Sequence, residues 1–273
     1  MTTRNAIIQE RIRKANEQRQ RNIEKINTHN ENVRKRKQEQ QQLREKQTEY
    51  KEKYPETYDK LKNIQDSLTL RYGTFLEEYP EQIMSVRFLN GTERVLEIGG
   101  NIGRNSLIIA CVLNSYELGN DRFLITMESD EDTAKKLEEN KNINGLGFFV
   151  EPSALSLRRL IQKNGSWDTT PSDVLLDNHK WVNVMTFQEL EKKYNITFDT
   201  LVLDCEGAFY DILKDMPDII TNIKKVIMEN DYQKIEKKNY VNSVLKENGF
   251  RVVYSEAGGW GDCYDFFYEV WER

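Results

Sequence analysis

The sequence predicts an α/β protein with a doubly wound, Rossmann-like sheet. From residue 95 onward, short apolar segments alternate with longer charged or amphipathic segments, the order expected for parallel strands joined by helices. Four of the apolar segments carry an acid at or near their carboxyl end, namely Glu97, Glu128, Asp204 and Glu229. Two further apolar segments, 250–256 and 265–271, lie close together and predict an antiparallel hairpin at the end of a mostly parallel sheet.

A glycine-rich turn separates the first strand from the first helix of this pattern. The apolar run Val95–Ile98 leads into the turn, and residues 106–113 predict a buried helix after it. Because glycine lacks a Cβ atom, the backbone here can approach a ligand closely, and the start of the helix offers free N–H groups. The residues expected to bind this ligand are Glu97, Gly99, Gly100, Asn101 and Gly103. Their spacing differs from the dinucleotide fingerprint G-x-G-x-x-G.

The second and third strands extend this ligand site. Residues 122–128 predict a strand that ends in Glu128, where a carboxylate can accept hydrogen bonds from two ribose hydroxyls. Asp130, two residues later, is expected to cap the charged helix that follows. The third strand, 147–150, is followed by a loop of small residues that leaves room for an adenine ring. We therefore expect Ser153 and Ala154 to contact the cofactor.

Acids also follow the fourth and fifth strands, predicted over 198–204 and 224–230. Asp204 and Glu206 are spaced i, i+2 after the fourth strand, and Glu229 ends the fifth. Because the carboxyl ends of neighbouring parallel strands meet at the ligand crevice, we expect these carboxyl groups to be catalytic, with Asp204 the foremost base. Glu206 has a second interpretation, as an acid that favours the dipole of the next helix.

The amino-terminal part of the chain has a different composition. Residues 1–53 hold 15 basic and 8 acidic side chains, a net charge of +7 in a chain whose total is −5. The composition favours helix, but the sparse apolar residues keep no heptad register. A solvated helix or partly disordered extension, a weakly self-associating helix and a contact with an acidic surface remain open as interpretations. We expect the rest of the chain to fold without this extension.

Three domains are predicted along the chain: the extension over 1–53, a helical lead-in over 54–88 and a catalytic domain over 89–273. The lead-in is expected to dock on the catalytic domain or to cover its cofactor. Residues 157–185 show no clear period and are assigned as irregular. Thr186 and Glu189 predict a capping box at the start of a helix over 186–194.

The remaining composition limits the compartment. The three cysteines lie far apart without a C-x-x-C pair, which favours free thiols in a reducing compartment. No apolar run of 18 residues occurs, and the first 30 residues are charged throughout, so neither a membrane span nor a secretory signal is expected. A cytoplasmic location is the resulting prediction.

Several of these motifs, taken together, resemble the FkbM family of S-adenosylmethionine-dependent methyltransferases. The resemblance covers about Thr92 to Trp271 and rests on the segments 96–103, 154–156, 186–190, 203–208 and 226–229. The Asp-x-Glu-Gly-Ala block over 204–208 is the most specific of these segments. The resemblance implies S-adenosyl-L-methionine as cofactor and a carbohydrate or small hydroxyl-bearing molecule as acceptor. The family more often has Asp, Ala and Glu where this chain has Glu97, Gly100 and Phe209.

Three other functions compete with methylation of a hydroxyl-bearing acceptor. A nucleic-acid methyltransferase would use the basic extension, but the chain has neither an Asn/Asp-Pro-Pro-aromatic motif nor a cysteine that follows a proline. A tether that binds the cofactor without catalysis, and a nicotinamide enzyme, are further alternatives. For Asp204 and Glu206, Mg²⁺ binding with Glu229 competes with a metal-free base. We favour the metal-free base, because no histidine or further acid is evidently placed to complete a metal site.

Overall fold

The computed structural model describes residues 18–20, 25, 31, 34, 37–38 and 41–273. The chain divides after Lys53, and residues 54–273 form a unit of their own. In the shorter unit, residues 41–53 are helical, and most of the predicted extension lies outside the described residues. None of the helices within the described ranges is long and apolar enough to cross a membrane.

The described strands and helices from residue 55 onward alternate as the sequence predicts. The strands are β1 (Val95–Ile98), β2 (Leu124–Met127), β3 (Phe149–Glu151), β4 (Ala154–Leu155), β5 (Leu160–Lys163), β6 (Thr169–Pro171), β7 (His179–Val182), β8 (Val184–Met185), β9 (Thr200–Leu203), β10 (Lys225–Glu229), β11 (Arg251–Glu256) and β12 (Tyr268–Glu272). The helices are α1 (Pro55–Ser67), α2 (Tyr79–Phe88), α3 (Arg104–Tyr116), α4 (Glu131–Ile143), α5 (Phe187–Tyr194), α6 (Phe209–Asp215) and α7 (Ile235–Glu247).

A seven-stranded sheet in the order β11-β12-β10-β9-β1-β2-β3 forms the centre of residues 54–273. Neighbouring strands from β10 to β3 are parallel, whereas β12 runs antiparallel to both β10 and β11. The predicted fold class is therefore confirmed: a doubly wound, mostly parallel sheet with an antiparallel hairpin at its carboxyl-terminal end. Strand order reverses between β1 and β9, and in such sheets the crevice at this switch point binds the ligand.

The inner strands explain why the sequence shows continuous apolar runs. Every residue of β1, β2 and β9 is buried, because helices cover both faces of a parallel sheet. The first helix after the glycine turn, α3, is apolar throughout residues 107–113 for the same reason, and it buries residues 104–110, 112 and 113. This burial holds the turn between β1 and α3 against the sheet.

The lead-in contains two helices, α1 and α2. Pro80 lies in the first turn of α2, and the residues between α1 and α2 form a loop, which we call the lead-in loop (residues 68–78). Amide side chains of α4 hold this loop, since Asn140 Oδ1 accepts from the Arg71 and Tyr72 N–H groups and Asn144 Oδ1 accepts from Thr69 N–H. The lead-in therefore docks on the sheet's own helices.

Residues 157–185 are not irregular, which corrects the sequence prediction. Strands β5, β6 and β7 form a separate antiparallel sheet with β5 in the middle, and β4 pairs with β8. Their burial is uneven, since β5 has three buried residues and β6 has none, and strands of two to four residues carry too short a pattern to detect. We call residues 157–185 the insertion. It lies beside the carboxyl ends of the main strands and contributes residues to the candidate site.

Candidate active site

The glycine turn between β1 and α3 is shaped by a close approach of two loops. Gly99 has a φ of +95°, and a Cβ atom at this position would lie 1.6 Å from the Asp204 carbonyl oxygen. A Cβ atom at Gly100 would lie 2.1 Å from Thr126 Cγ2, so only glycine fits at this position without a shift of its neighbours. The turn therefore fits tightly between the ends of β9 and β2.

Glu97 lies beneath this turn and does not line the cavity. Its carboxylate accepts hydrogen bonds from Ser106 Oγ at 2.5 Å, Thr126 Oγ1 at 2.8 Å and Asn105 Nδ2 at 3.4 Å. Burial raises the pKa of Glu97 to about 7, although the Ser106 and Thr126 hydrogen bonds oppose the rise. Through these hydrogen bonds the side chain joins β1, β2 and α3 beneath the glycine turn.

Glu128, at the end of β2, has the geometry expected of a side chain that binds ribose hydroxyls. Its Oε2 accepts from the Asn101 backbone N–H at 2.9 Å, and its Oε1 accepts from the Asp130 backbone N–H at 2.8 Å. Each oxygen keeps a second lone pair, and the side chain lines the cavity. Burial raises the pKa of Glu128 to about 7 against the lowering effect of these two backbone N–H groups. Asp130 caps α4, as predicted, by accepting from Thr133 N–H at 2.8 Å.

A cavity of about 900 Å³ runs along the carboxyl ends of β1, β2 and β9. Seven of the residues expected at the site line it: Gly99, Asn101, Glu128, Ser153, Ala154, Asp204 and Glu206. Glu97, Gly100, Gly103 and Glu229 do not. The insertion contributes Trp167 and Asp168, whose charge raises the pKa of Glu206 after larger effects from nearer groups. The cavity therefore joins the expected cofactor residues to the expected catalytic acids.

Buried carboxyl groups cluster behind the catalytic end of this cavity. Burial, followed by the negative charges of Glu78 and Glu81, raises the pKa of Asp204 well above its usual range. Burial and the charges of Glu81 and Asp204 likewise raise the pKa of Glu229 far above its usual range. Both shifts have the same direction, because each carboxyl group is shielded from solvent and lies close to other acids.

Glu206 is paired with Asp231, a residue that the sequence reasoning missed. A hydrogen bond between their carboxyl groups, with burial second, raises the pKa of Glu206 to about 8. The loops after β9 and β10 bring the two together, since a Cβ atom at Gly207 would lie 2.8 Å from the Asp231 carbonyl oxygen. Asp231 is 9% exposed, and its Oδ1 is buried with no hydrogen-bond partner. The signal in the sequence was an acid two residues beyond the end of β10.

The two arginines of the cavity wall form ion pairs with acidic side chains of the same wall. Arg104 pairs with Glu77 and Glu78, and Arg158 pairs with Asp211 and Asp215. Within residues 41–273, no salt bridge reaches Asp204, Glu206 or Asp231. The cavity is thus net acidic, which suits a cationic ligand and disfavours a phosphate. Among the residues that the structure describes, no group of three or more His, Cys, Asp and Glu side chains could hold a metal ion.

Solved structures with similar chain traces include three enzymes that carry methyltransferase names. An O-methyltransferase from Bacillus cereus in complex with SAH is 14% identical, over 80% of this chain and 90% of that chain, with a TM-score of 0.44. A candidate tRNA (m1A22) methyltransferase from Streptococcus pneumoniae, in complex with S-adenosyl-L-methionine, is 13% identical over 71% and 72%, with a TM-score of 0.43. The ribosomal protein L11 methylase of Lactobacillus delbrueckii subsp. bulgaricus is 12% identical over 75% and 81%, with a TM-score of 0.42.

No protein-family model matches the sequence, and no curated protein matches it either. The function proposed below therefore rests on this chain's own residues.

Proposed function

We propose that this chain is an S-adenosylmethionine-dependent O-methyltransferase that methylates a hydroxyl of a sugar or similar acceptor. One observation carries the proposal: the Glu128 carboxylate stands at the tip of β2, fixed by two backbone N–H groups and open to the cavity beside Gly99. That arrangement suits the two hydroxyls of a ribose, because each oxygen has a lone pair left for an O–H donor.

The rest of the cavity is consistent with this cofactor. Ser153 and Ala154 border the space beyond Glu128, where small side chains would accommodate an adenine ring. The excess of acids in the wall favours a ligand with a cationic sulfonium, which a pyrophosphate cofactor would not supply. Bound here, S-adenosylmethionine would supply an activated methyl group, and the protein's main contribution would be to align the acceptor oxygen with it.

The acceptor hydroxyl must lose its proton as the new bond forms, and Glu206 is best suited to take it. A general base works best when its pKa is near the operating pH, and the pKa of Glu206 is about 8. Asp204, favoured as the base on sequence grounds, lines the same cavity, but burial and the neighbouring acids raise its pKa well above its usual range. We accordingly assign proton removal to Glu206 with Asp231, and acceptor orientation to Asp204. Glu229 does not line the cavity, so it would act only through its effect on Asp204.

Cofactor binding tests the first part of the proposal. Replacing Glu128 with alanine should weaken S-adenosylhomocysteine binding by about 1–3 kcal/mol, the range for lost charge-assisted hydrogen bonds. Asp132→Ala is the matched control, since this acid lies in the first turn of α4 with its side chain 80% exposed. Titration calorimetry gives both affinities. If wild type and a folded Glu128→Ala variant bind S-adenosylhomocysteine with equal affinity, the assignment of Glu128 to the ribose is wrong.

The acceptor class needs a separate measurement. Wild-type protein is incubated with methyl-labelled cofactor and, in parallel, with glycan, protein and RNA pools. We expect label in the glycan pool, because the carboxyl groups of the cavity bind hydroxyls and repel phosphates. Label confined to RNA would favour the nucleic-acid alternative, in which the basic residues of 1–53 would bind the substrate. No transfer to any pool, together with normal cofactor binding, would favour the non-catalytic tether.

A further inference from the structure

The lead-in loop brings a carboxylate to the cavity close to the glycine turn. Glu78, the last residue of the loop, has a φ of +55° and directs its side chain toward Asn101 and Arg104. Its Oε1 accepts from Asn101 Nδ2 at 2.9 Å and from Arg104 Nη1 at 2.6 Å. Glu78 and Arg104 both line the cavity, and their side chains are only 14% and 11% exposed.

Further contacts between the lead-in loop and the glycine turn fix the position of Glu78. Asn140 Nδ2 donates to the carbonyl oxygens of Tyr72 and Ile102, so one side chain joins the loop to the glycine turn. A Cβ atom at Gly73 would lie 2.3 Å from Ile102 Cδ1, which shows how closely the loop packs on the turn. Arg104 Nε adds a hydrogen bond to the Thr74 carbonyl oxygen at 3.1 Å. Hydrogen bonds and close packing therefore hold the lead-in loop in place as part of the cavity wall.

Asn101 relates Glu78 to the proposed ribose ligand. Its backbone N–H donates to Glu128, while its side-chain amide donates to Glu78. The two carboxylates thus flank a single residue of the turn. A nucleoside held by Glu128 would extend along this turn and bring whatever is attached to its 5′ carbon toward Glu78 and Arg104.

A carboxylate beside a guanidinium complements a zwitterion. We propose that Glu78 and Arg104 bind the α-amino-acid end of the cofactor, Glu78 accepting from its ammonium and Arg104 donating to its carboxylate. Arg104 uses its Nε, Nη1 and Nη2 once each within the protein, which leaves the other N–H groups of the guanidinium for a ligand. The inference rests on the proposed function, because it concerns the same cofactor, but it assigns residues that lie outside every motif used for that proposal.

The alternative is that the Glu78–Arg104 ion pair merely ties the lead-in to the turn. Two ligands separate these roles: S-adenosylhomocysteine carries the amino-acid end, whereas 5′-methylthioadenosine lacks it and keeps the adenosine. If the pair binds the amino-acid end, Glu78→Gln should weaken S-adenosylhomocysteine roughly ten- to hundredfold and leave methylthioadenosine within about twofold. If the ion pair only ties the lead-in to the turn, Glu78→Gln should change the affinities of both ligands by the same factor.

Glu139→Gln is the matched control. Glu139 also holds the lead-in loop, through Tyr72 Oη at 3.0 Å and Arg71 at 3.1 Å, but it does not line the cavity. Any change that it causes should be equal for the two ligands. In wild type, S-adenosylhomocysteine should bind at least about tenfold more tightly than methylthioadenosine, a comparison that needs no variant to fold.

The outcomes are distinct. Equal affinities of the two ligands for wild type, or an equal loss for both in Glu78→Gln, would overturn the assignment of Glu78 and Arg104 while leaving cofactor binding intact. Wild-type protein that binds neither ligand would instead overturn the proposed function. Should Glu78→Gln fail to fold, the wild-type comparison and Arg104→Lys, which keeps the charge but loses the planar fork, decide the question.

Discussion

Glutamates at the strand ends differ in what their carboxyl oxygens contact, and their chemistry differs accordingly. Glu97 is enclosed by side-chain donors under the turn, Glu128 is fixed by backbone N–H groups at the cavity, and Glu206 lies beside the Asp231 carboxyl group. The same side chain thus occurs in three different environments, which suit it to different proposed roles. Burial raises the pKa of Glu97 and Glu128, whereas the interaction with Asp231, followed by burial, raises that of Glu206.

Gly99 provides a test of how tightly the turn is built. Gly99→Ala should lower the free energy of unfolding by roughly 3 kcal/mol or more, because its Cβ would overlap the Asp204 carbonyl oxygen at 1.6 Å. Gly145→Ala is the control, since Gly145 has a φ of +64° with nothing within 4 Å, and only the left-handed backbone costs about 1–2 kcal/mol there. Urea denaturation measures both. Equal losses in the two variants would mean that the loops can separate freely.

Residue types at strand ends could be predicted from the sequence, but their directions could not. Glu128, Asp204 and Glu206 face the cavity as expected, because parallel strands bring their carboxyl ends to one edge. Glu97 points away from it, since side chains alternate across a strand and one residue decides the face. Glu78 was missed because a loop distant in sequence brings it to the site, and no local pattern marks such a contact. Asp231 was missed although it lies only two residues beyond the end of β10.

At the scale of elements, α5 shows how local signals set a boundary. Its predicted capping box is present: Glu189 N–H donates to Thr186 Oγ1 at 3.2 Å, and Thr186 N–H donates to Glu189 Oε2 at 2.9 Å. The hydrogen bonds from Thr186 hold the pKa of Glu189 below its usual value. The helix positions Phe187 and Leu190 against the core next to β9, so its start affects the strand that carries Asp204.

Thr186→Ala should therefore destabilise the protein by about 1 kcal/mol, the usual cost of a lost helix cap. Thr197→Ala serves as the control, because Thr197 is exposed and lies between α5 and β9 rather than at a helix start. Thermal unfolding of both variants gives the comparison. A loss that is no greater for Thr186→Ala than for Thr197→Ala would show that the capping box contributes nothing in solution.

Elements with strong periodicity or long apolar runs could be located from sequence, whereas short paired strands could not. Strands β1, β2, β9 and β10 lie within the predicted segments, because burial on both faces demands uninterrupted apolar residues. Helix α7 begins at Ile235 without a side-chain cap at Lys234, so no local signal marks its start. The sheet of β5, β6 and β7 depends on cross-strand pairing, which single-sequence periodicity does not show.

For the whole molecule, the buried acids make stability depend on pH in an unusual direction. Burial raises the pKa of Glu78, Glu97 and Glu128 to about 7, from an ordinary value of 4.5. Below the ordinary value these groups are protonated in both the folded and the unfolded chain. Above it the unfolded chain releases the protons first, so the folded state becomes relatively less stable until the folded groups ionise too.

The ligand-free protein should consequently lose more than about 1 kcal/mol of unfolding free energy as the pH rises from about 5 to about 8. Urea denaturation across this range measures the slope. Glu206→Gln should flatten the upper part of the curve, because the pKa of Glu206 is about 8 and its titration lies there. Stability that rises with pH over the whole range would contradict the burial of these carboxyl groups.

The position of β12 has a consequence for synthesis of the chain on the ribosome. Strand β12 lies between β10 and β11, although both precede it in the sequence. Until residues 268–272 have left the ribosome, β10 therefore presents the backbone groups of an apolar strand to any other exposed strand edge. A nascent chain that stalls after Glu256 would contain every cavity residue yet remain open to aggregation at that edge.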